Sequence, residues 1–308
     1  MADELIRNTN VEIQKQFKRL PAVLCDGTAG LHMNLVNIPT EVKFHFRIIV
    51  GKNSFSVSHF QNGDLQIGTA EGIYHQLRGE SRAAYVTHLK DLRSCMQTSK
   101  HSVNYILYGK GNSYFVEEYV YGLTDTSQLF TFTVQSNILP FLTVSNQYII
   151  VTNPDLRQVV MYDFASKKCR TCTIAPTLWV PYFLPNDELL ATTGEDELRK
   201  HRKNYRRHTP YPECNSLVKY RVDDKGLTQI WSCGDLPYAC GVSHDSTGLI
   251  YVSTFRNRTI YIISPCGKKL RELHSDRLPE PAGQISVHGN KLAVPDWEKG
   301  EVIIFTIN

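Results

Sequence analysis

The chain has 308 residues, 42% of them hydrophobic and 21% charged. That balance excludes a disordered polymer and provides for a sizeable core. The formal net charge is only +4 and no apolar run approaches the roughly 18 residues of a membrane span, which excludes a uniform polycation and a helical membrane protein.

Taken in chain order, residues 1–40 read as a helix and linker. Leu5, Ile6, Ile13, Phe17 and Leu20 lie among charges and predict a short amphipathic helix, a candidate for self-association. This mixed-charge N-terminus is unlike a secretory signal, so the eight cysteines are expected to be thiols in the reducing cytoplasm. Residues 41–308 read as one β domain. It opens on "EVKFHFRIIV", Glu41–Val50, which alternates and then turns apolar, as a strand does.

A turn followed by an apolar strand then recurs, with anchors at Leu65, Tyr114, Ile149, Leu189, Ile250 and Leu292. The intervals are 49, 35, 40, 61 and 42 residues. Unrelated hairpins of a β-sandwich would recur at hairpin spacing, whereas these intervals approach the roughly 40–50 residues of a four-stranded propeller blade. Six copies predict an all-β fold, a six-bladed β-propeller preceded by the short N-terminal helix. The last copy stops at a third strand, Glu301–Ile307, so residues 41–50 are expected to pair with the C-terminal blade as its fourth strand and remove an open edge.

The 61-residue interval holds "LRKHRKNYRRH", Leu198–His208, with six Lys or Arg residues; the rest of the chain sums to −2 without them. Arg199, Lys200, Arg202, Lys203, Arg206 and Arg207 can neutralise phosphates, while Tyr205, His208 and Tyr211 can stack on unpaired bases, so RNA is the leading expected partner. The same charges also suit an acidic protein surface. A loop solvated and paired with Glu195, Asp196 and Glu197 is the third reading.

Other chemistry is sparser. Cys169-Arg-Thr-Cys172 has the spacing of a zinc or redox pair, but no second pair matches it, and "KKCRTCTI" reads as a strand that puts the thiols on opposite faces. Glu118, Asn153 and Asp296, at presumed second-strand ends, suggest an alternative metal-dependent hydrolase of the lactonase type. Two carboxylates and an amide fall short of the six to eight oxygens of calcium. His45, His59 and His75 lie in or beside strands and read as hydrogen-bonded structural residues. No nucleophile elbow, P-loop or H-E-x-x-H occurs, so the expectation is a non-catalytic module without a cofactor.

The last two copies are similar to NHL repeats, on Asp245, Gly248, Tyr251, Val252, Asn257 and Ile260 in one and Asp296 and Gly300 in the other. Thr254 departs from the pattern, where Asp is usual. The resemblance spans residues 235–308 and implies a recognition propeller for RNA or protein, as in the C-terminal part of tripartite-motif (TRIM) proteins, where a helix like that of residues 1–20 ends a coiled coil. No RING or B-box cysteine pattern is present, so ligase activity is not implied.

Overall fold

The computed structural model describes residues 38–50, 54–60, 62–69, 71–78, 80, 83–88, 92–97, 103–110, 113–120, 126–133, 140–194, 214–279, 284–296 and 299–308. Among the described residues, six four-stranded antiparallel sheets follow one another along the chain. Sheet one runs outward through β2 (Ser54–His59), β3 (Leu65–Thr69), β4 (Gly72–Gln76) and β5 (Ala84–His88). Sheet two comprises β6 (Leu92–Gln97), β7 (Val103–Lys110), β8 (Ser113–Val120) and β9 (Thr126–Thr133). Sheet three comprises β10 (Phe141–Val144), β11 (Tyr148–Asn153), β12 (Gln158–Asp163) and β13 (Lys168–Thr173). Sheet four holds β14 (Thr177–Phe183), β15 (Leu189–Gly194), β16 (Cys214–Asp223) and β17 (Gly226–Cys233), and sheet five β18 (Ala239–His244), β19 (Ile250–Thr254), β20 (Thr259–Ile263) and β21 (Lys269–His274). Sheet six takes β22 (Ser286–His288), β23 (Lys291–Asp296) and β24 (Glu301–Ile307) from the end of the chain and β1 (Val42–Ile49) from its start. The helix expected over residues 1–20 lies outside the described residues, among which the helical turn is a 3-10 turn at Pro154–Leu156.

The innermost strands form a cycle: β2 touches β6, β6 touches β10, and so on through β14, β18 and β22 back to β2. Each sheet therefore has neighbours on both faces, which explains why the second strands β3, β11, β15 and β19 are buried at every position rather than alternately. In β11, every residue from Tyr148 to Asn153 is buried. Ile149 and Val151 pack with Leu107 and Val116 of sheet two, while Tyr148 and Ile150 pack with Leu189 and Val218 of sheet four. Between sheets four and five lie Trp179, Leu190, Val242, Val252 and Ile263, and between sheets six and one lie Ile48, Val302, Val57 and Ile67.

Alignment on the observed strands moves one repeat. Tyr114 lies on β8, a third strand, and the second strand of sheet two is β7. The expected position of Tyr114 is corrected because "KGN" before it is the link from second to third strand, not from first to second. The positions four residues before Thr69, Lys110, Asn153, Thr193, Thr254 and Asp296 are Leu65, Ile106, Ile149, Leu189, Ile250 and Leu292, which replaces the intervals 49 and 35 by 41 and 43. The 61-residue interval then stands alone against 41, 43, 40 and 42.

Three of the first-to-second links share one turn. Phe60, Leu184 and Asp245 each donate their N–H to the carbonyl four residues on, at Asp64, Glu188 and Leu249, and the fourth residue has positive φ: Gly63 at 88°, Asp187 at 61° and Gly248 at 86°. This explains why "NGD", "PND" and "STG" punctuate the sequence.

Sheet six is completed by residues from both ends of the described chain. β1 pairs antiparallel with β24, with Val42 opposite Ile307 and Ile49 opposite Glu301. The register shifts between Phe44 and Phe46, and Ile48 is fully buried whereas Ile49 is 77% exposed. Ile48→Ala is expected to cost about 2–4 kcal/mol by opening a cavity between sheets six and one. Ile49→Ala is expected to stay within about 0.5 kcal/mol. Urea denaturation of the two variants checks the pair.

Candidate functional site

Because strand direction alternates within each sheet, the second-to-third links and the links between sheets emerge on one face of the ring. The polar second-strand ends expected from the sequence border this face. Most of those polar groups close their own hairpins. Thr69 Oγ1 donates to the Gly72 carbonyl and accepts from the Glu71 and Gly72 N–H groups. Thr254 Oγ1 donates to the Thr259 carbonyl and accepts its N–H. Asp296 accepts from the Lys299 N–H at 3.0 Å and from its Nζ at 2.9 Å. Thr193 Oγ1 is 2.5 Å from Ser216 Oγ on the next strand.

One residue earlier, a second set of hydroxyls ties inner strands together. Thr192 accepts from the Val180 N–H and Ser253 from the Gly241 N–H, both at breaks in the inner-strand register, while Thr152 donates to Trp179 O of the next sheet. A backbone N–H left over by a bulge must find a partner when buried, and a short β-branched or serine hydroxyl reaches it.

The expected metal-site residues are not brought together. Glu118 lies on β8, in mid-strand opposite Tyr105, and the matching second-strand end in sheet two is Lys110. Asn153 belongs to sheet three and Asp296 to sheet six, half the cycle apart. Among the described residues, no group of three or more His, Cys, Asp or Glu side chains could hold a metal ion. Cys169 and Cys172 sit on β13, an outermost strand, as free thiols, the first exposed and the second half-buried.

Residues 199–208, with Arg199, Lys200, Arg202, Lys203, Tyr205, Arg206, Arg207 and His208, lie outside the described residues. Their point of attachment does not: Gly194 at the end of β15 is paired with Cys214 at the start of β16. The segment 195–213 therefore connects a second strand to a third, on the face just described. Neighbouring links bring further cations to that face. Arg157 follows β11, Arg256 and Arg258 follow β19, Arg277 lies between sheets five and six, and Lys299 follows β23. Arg256 stands over the Tyr238 ring at 5.5 Å, Arg258 donates to Asp276 O at 3.3 Å, and Arg277 stands over Phe44 at 4.6 Å. Carboxylates occur on the same links, at Glu71, Asp155, Asp235 and Asp276 besides the Asp296 that holds Lys299, and segment 195–213 itself carries Glu195, Asp196, Glu197 and Glu213.

Comparison with known proteins bears on the fold. No family model matches the chain, and no curated protein does, so the resemblance to NHL repeats and TRIM proteins gains no support. Solved structures do match. The β-propeller domain of Cps50 (Swd1) from Myceliophteria thermophila superposes with a TM-score of 0.59 at 13% identity, covering 87% of this chain and 100% of that one. An auxiliary nutrient binding protein from Bacteroides thetaiotaomicron gives 0.62 at 10% identity, covering 86% and 76%. The fold is an all-β propeller. Its sheets are blades, and at these identities the likeness carries the fold alone. Among the described residues of this propeller, no helix is long and apolar enough to cross a membrane.

On the opposite face, three inner strands end in histidine: His59, His244 and His288. His59 Nδ1 is 2.9 Å from Ser286 Oγ, which also accepts the His59 N–H, and its ring stacks on His288 at 5.5 Å. His244 Nδ1 is 2.9 Å from the Tyr182 hydroxyl of the preceding blade. His75 Nε2 lies 3.4 Å from Asp64 Oδ2, and His45 is exposed on β1. The signal was available as "SVSH", "GVSH" and "ISVH", repeated where inner strands stop.

Burial, and then the neighbouring His288, lower the His59 pKa from 6.5 to about 3. Burial lowers that of His244 too, partly offset by Asp245. A lowered histidine pKa means that below about pH 6.5 the unfolded chain takes up a proton that the folded one refuses, so stability falls as pH drops from 6.5 towards 3. The expected loss from His59 is on the order of 3 kcal/mol. His59→Asn should flatten that part of a stability profile measured by urea titration at successive pH values.

Proposed function

We propose that this propeller is a non-catalytic recognition module and that it captures RNA on the face bearing the second-to-third links. The observation that carries the reading is the convergence of one long insertion with neighbouring cations. The basic run is attached between Gly194 and Cys214, and Arg157, Arg256, Arg258, Arg277 and Lys299 occupy links on the same face. Several blades then contribute cations to one face, as binding to a phosphate backbone requires. Arg199, Lys200, Arg202, Lys203, Arg206 and Arg207 supply phosphate contacts, and Tyr205 and His208 supply stacking surfaces. A six-bladed count is supported by the six four-stranded sheets and by the cycle of their innermost strands. The NHL-like residues near the C-terminus agree with a binding role, and the cytoplasm is the compartment that suits free thiols and an RNA ligand.

A second reading is favoured by the propeller architecture itself, a rigid scaffold with ligand-bearing loops at its ends: the same face docks on an acidic protein surface. A salt series of single-stranded RNA binding separates the two. The native chain is expected to bind more weakly as salt rises, and changing Arg202, Lys203, Arg206 and Arg207 to Ala should lower the logarithmic slope by about 0.7–0.9 for each phosphate that is no longer neutralised. Equal affinities and slopes for the two chains would remove RNA from the reading and leave the protein surface.

A further inference from the structure

A groove of about 490 Å³ lies between blades five and six. Its described lining has two distinct parts. Leu278, Pro279, Ile303 and Phe44 supply apolar surface, with Leu278 and Ile303 buried at the base. Arg47, Arg258, Arg277 and Lys299 supply four cations, against the two carboxylates Asp276 and Glu301.

The cations are held in place. Arg277 stands over Phe44 at 4.6 Å, Arg258 donates to the Asp276 carbonyl at 3.3 Å, and Lys299 is gripped by the buried Asp296 at 2.9 Å. Arg47 lies 3.4 Å from Glu301, so that carboxylate already faces a cation. Held cations lose little freedom when an anion arrives, which favours binding.

We propose that this groove is a docking site for an acidic peptide segment of a protein partner, apolar side chains entering between Phe44, Leu278 and Ile303 while carboxylates meet the arginines. Charge complementarity selects an acidic segment, and the apolar base selects peptide over nucleic acid. Arg277 covers one face of the Phe44 ring, which removes that face as a platform for a nucleobase. The groove shares Arg258, Arg277 and Lys299 with the face proposed for RNA but includes none of residues 199–208, so it stands whether or not that segment binds RNA.

The test uses the full chain and fluorescence anisotropy with a short labelled peptide of Asp, Glu and Leu. Controls are its Lys-for-acid counterpart, a version with Ser for Leu, and a single-stranded RNA of matching length. The acidic peptide should bind and both altered peptides should lose binding. Arg277→Glu, an exposed position, should weaken it at least roughly tenfold. The variant with Arg202, Lys203, Arg206 and Arg207 changed to Ala should bind the peptide as the native chain does, whatever its effect on RNA. If Arg277→Glu shifts the thermal melt, Arg47→Glu on the other side of the groove should reproduce the loss. Native affinity in the rim variants overturns the proposal, as does RNA that displaces the peptide with the same dependence on Arg277.

Discussion

The pairing of β1 with β24 is the constraint on which the ring depends. Without it, sheet six would consist of three strands with an open edge at β24, and Ile48 would leave the core it shares with Val57 and Ile67 of the first blade. The two strands come from opposite ends of the described chain, so the loop that they close is nearly the whole fold. Contacts of such long separation form late and cooperatively. The continuous apolar packing around the ring makes that late step favourable, since each blade is buried on both faces only when its neighbours are in place.

What could be read from the chain follows from what strands report. Ile149–Val151 and Leu189–Ala191 are buried on both faces, so they appear as uninterrupted apolar runs, and the blade spacing emerged from them. The second blade was misread by one strand because β7 and β8 are both aromatic and apolar and the "KGN" turn fits either link. The bulges served by Thr192 and Ser253 had no such trace: alternation records which side a residue faces, not where a neighbour has one residue too many. The His59 contact with Ser286, 227 residues apart in the chain, becomes visible only when the first and last blades meet. Glu118, Asn153 and Asp296 looked like a set because an alignment put them at one level; the true strand order takes Glu118 off that level, onto the third strand of its blade.

The two faces of the ring are built by different rules. On the histidine side, three first-to-second links repeat one short hydrogen-bonded turn, at Phe60, Leu184 and Asp245. On the other side the links vary, from the single Glu71 described after β3 to the 19 residues between Gly194 and Cys214. At Thr69, Thr254 and Asp296 the polar atoms at the base of those links are occupied in closing them.

The pairing of Gly194 with Cys214 carries one more consequence. Because the two residues are already neighbours across β15 and β16, lengthening the join costs only the slowly growing entropy of loop closure. Selection can thus rewrite that stretch almost without penalty to the scaffold, so that relatives of this chain would diverge fastest there while holding their strands, and a change of binding partner would require neither a new blade nor a new core.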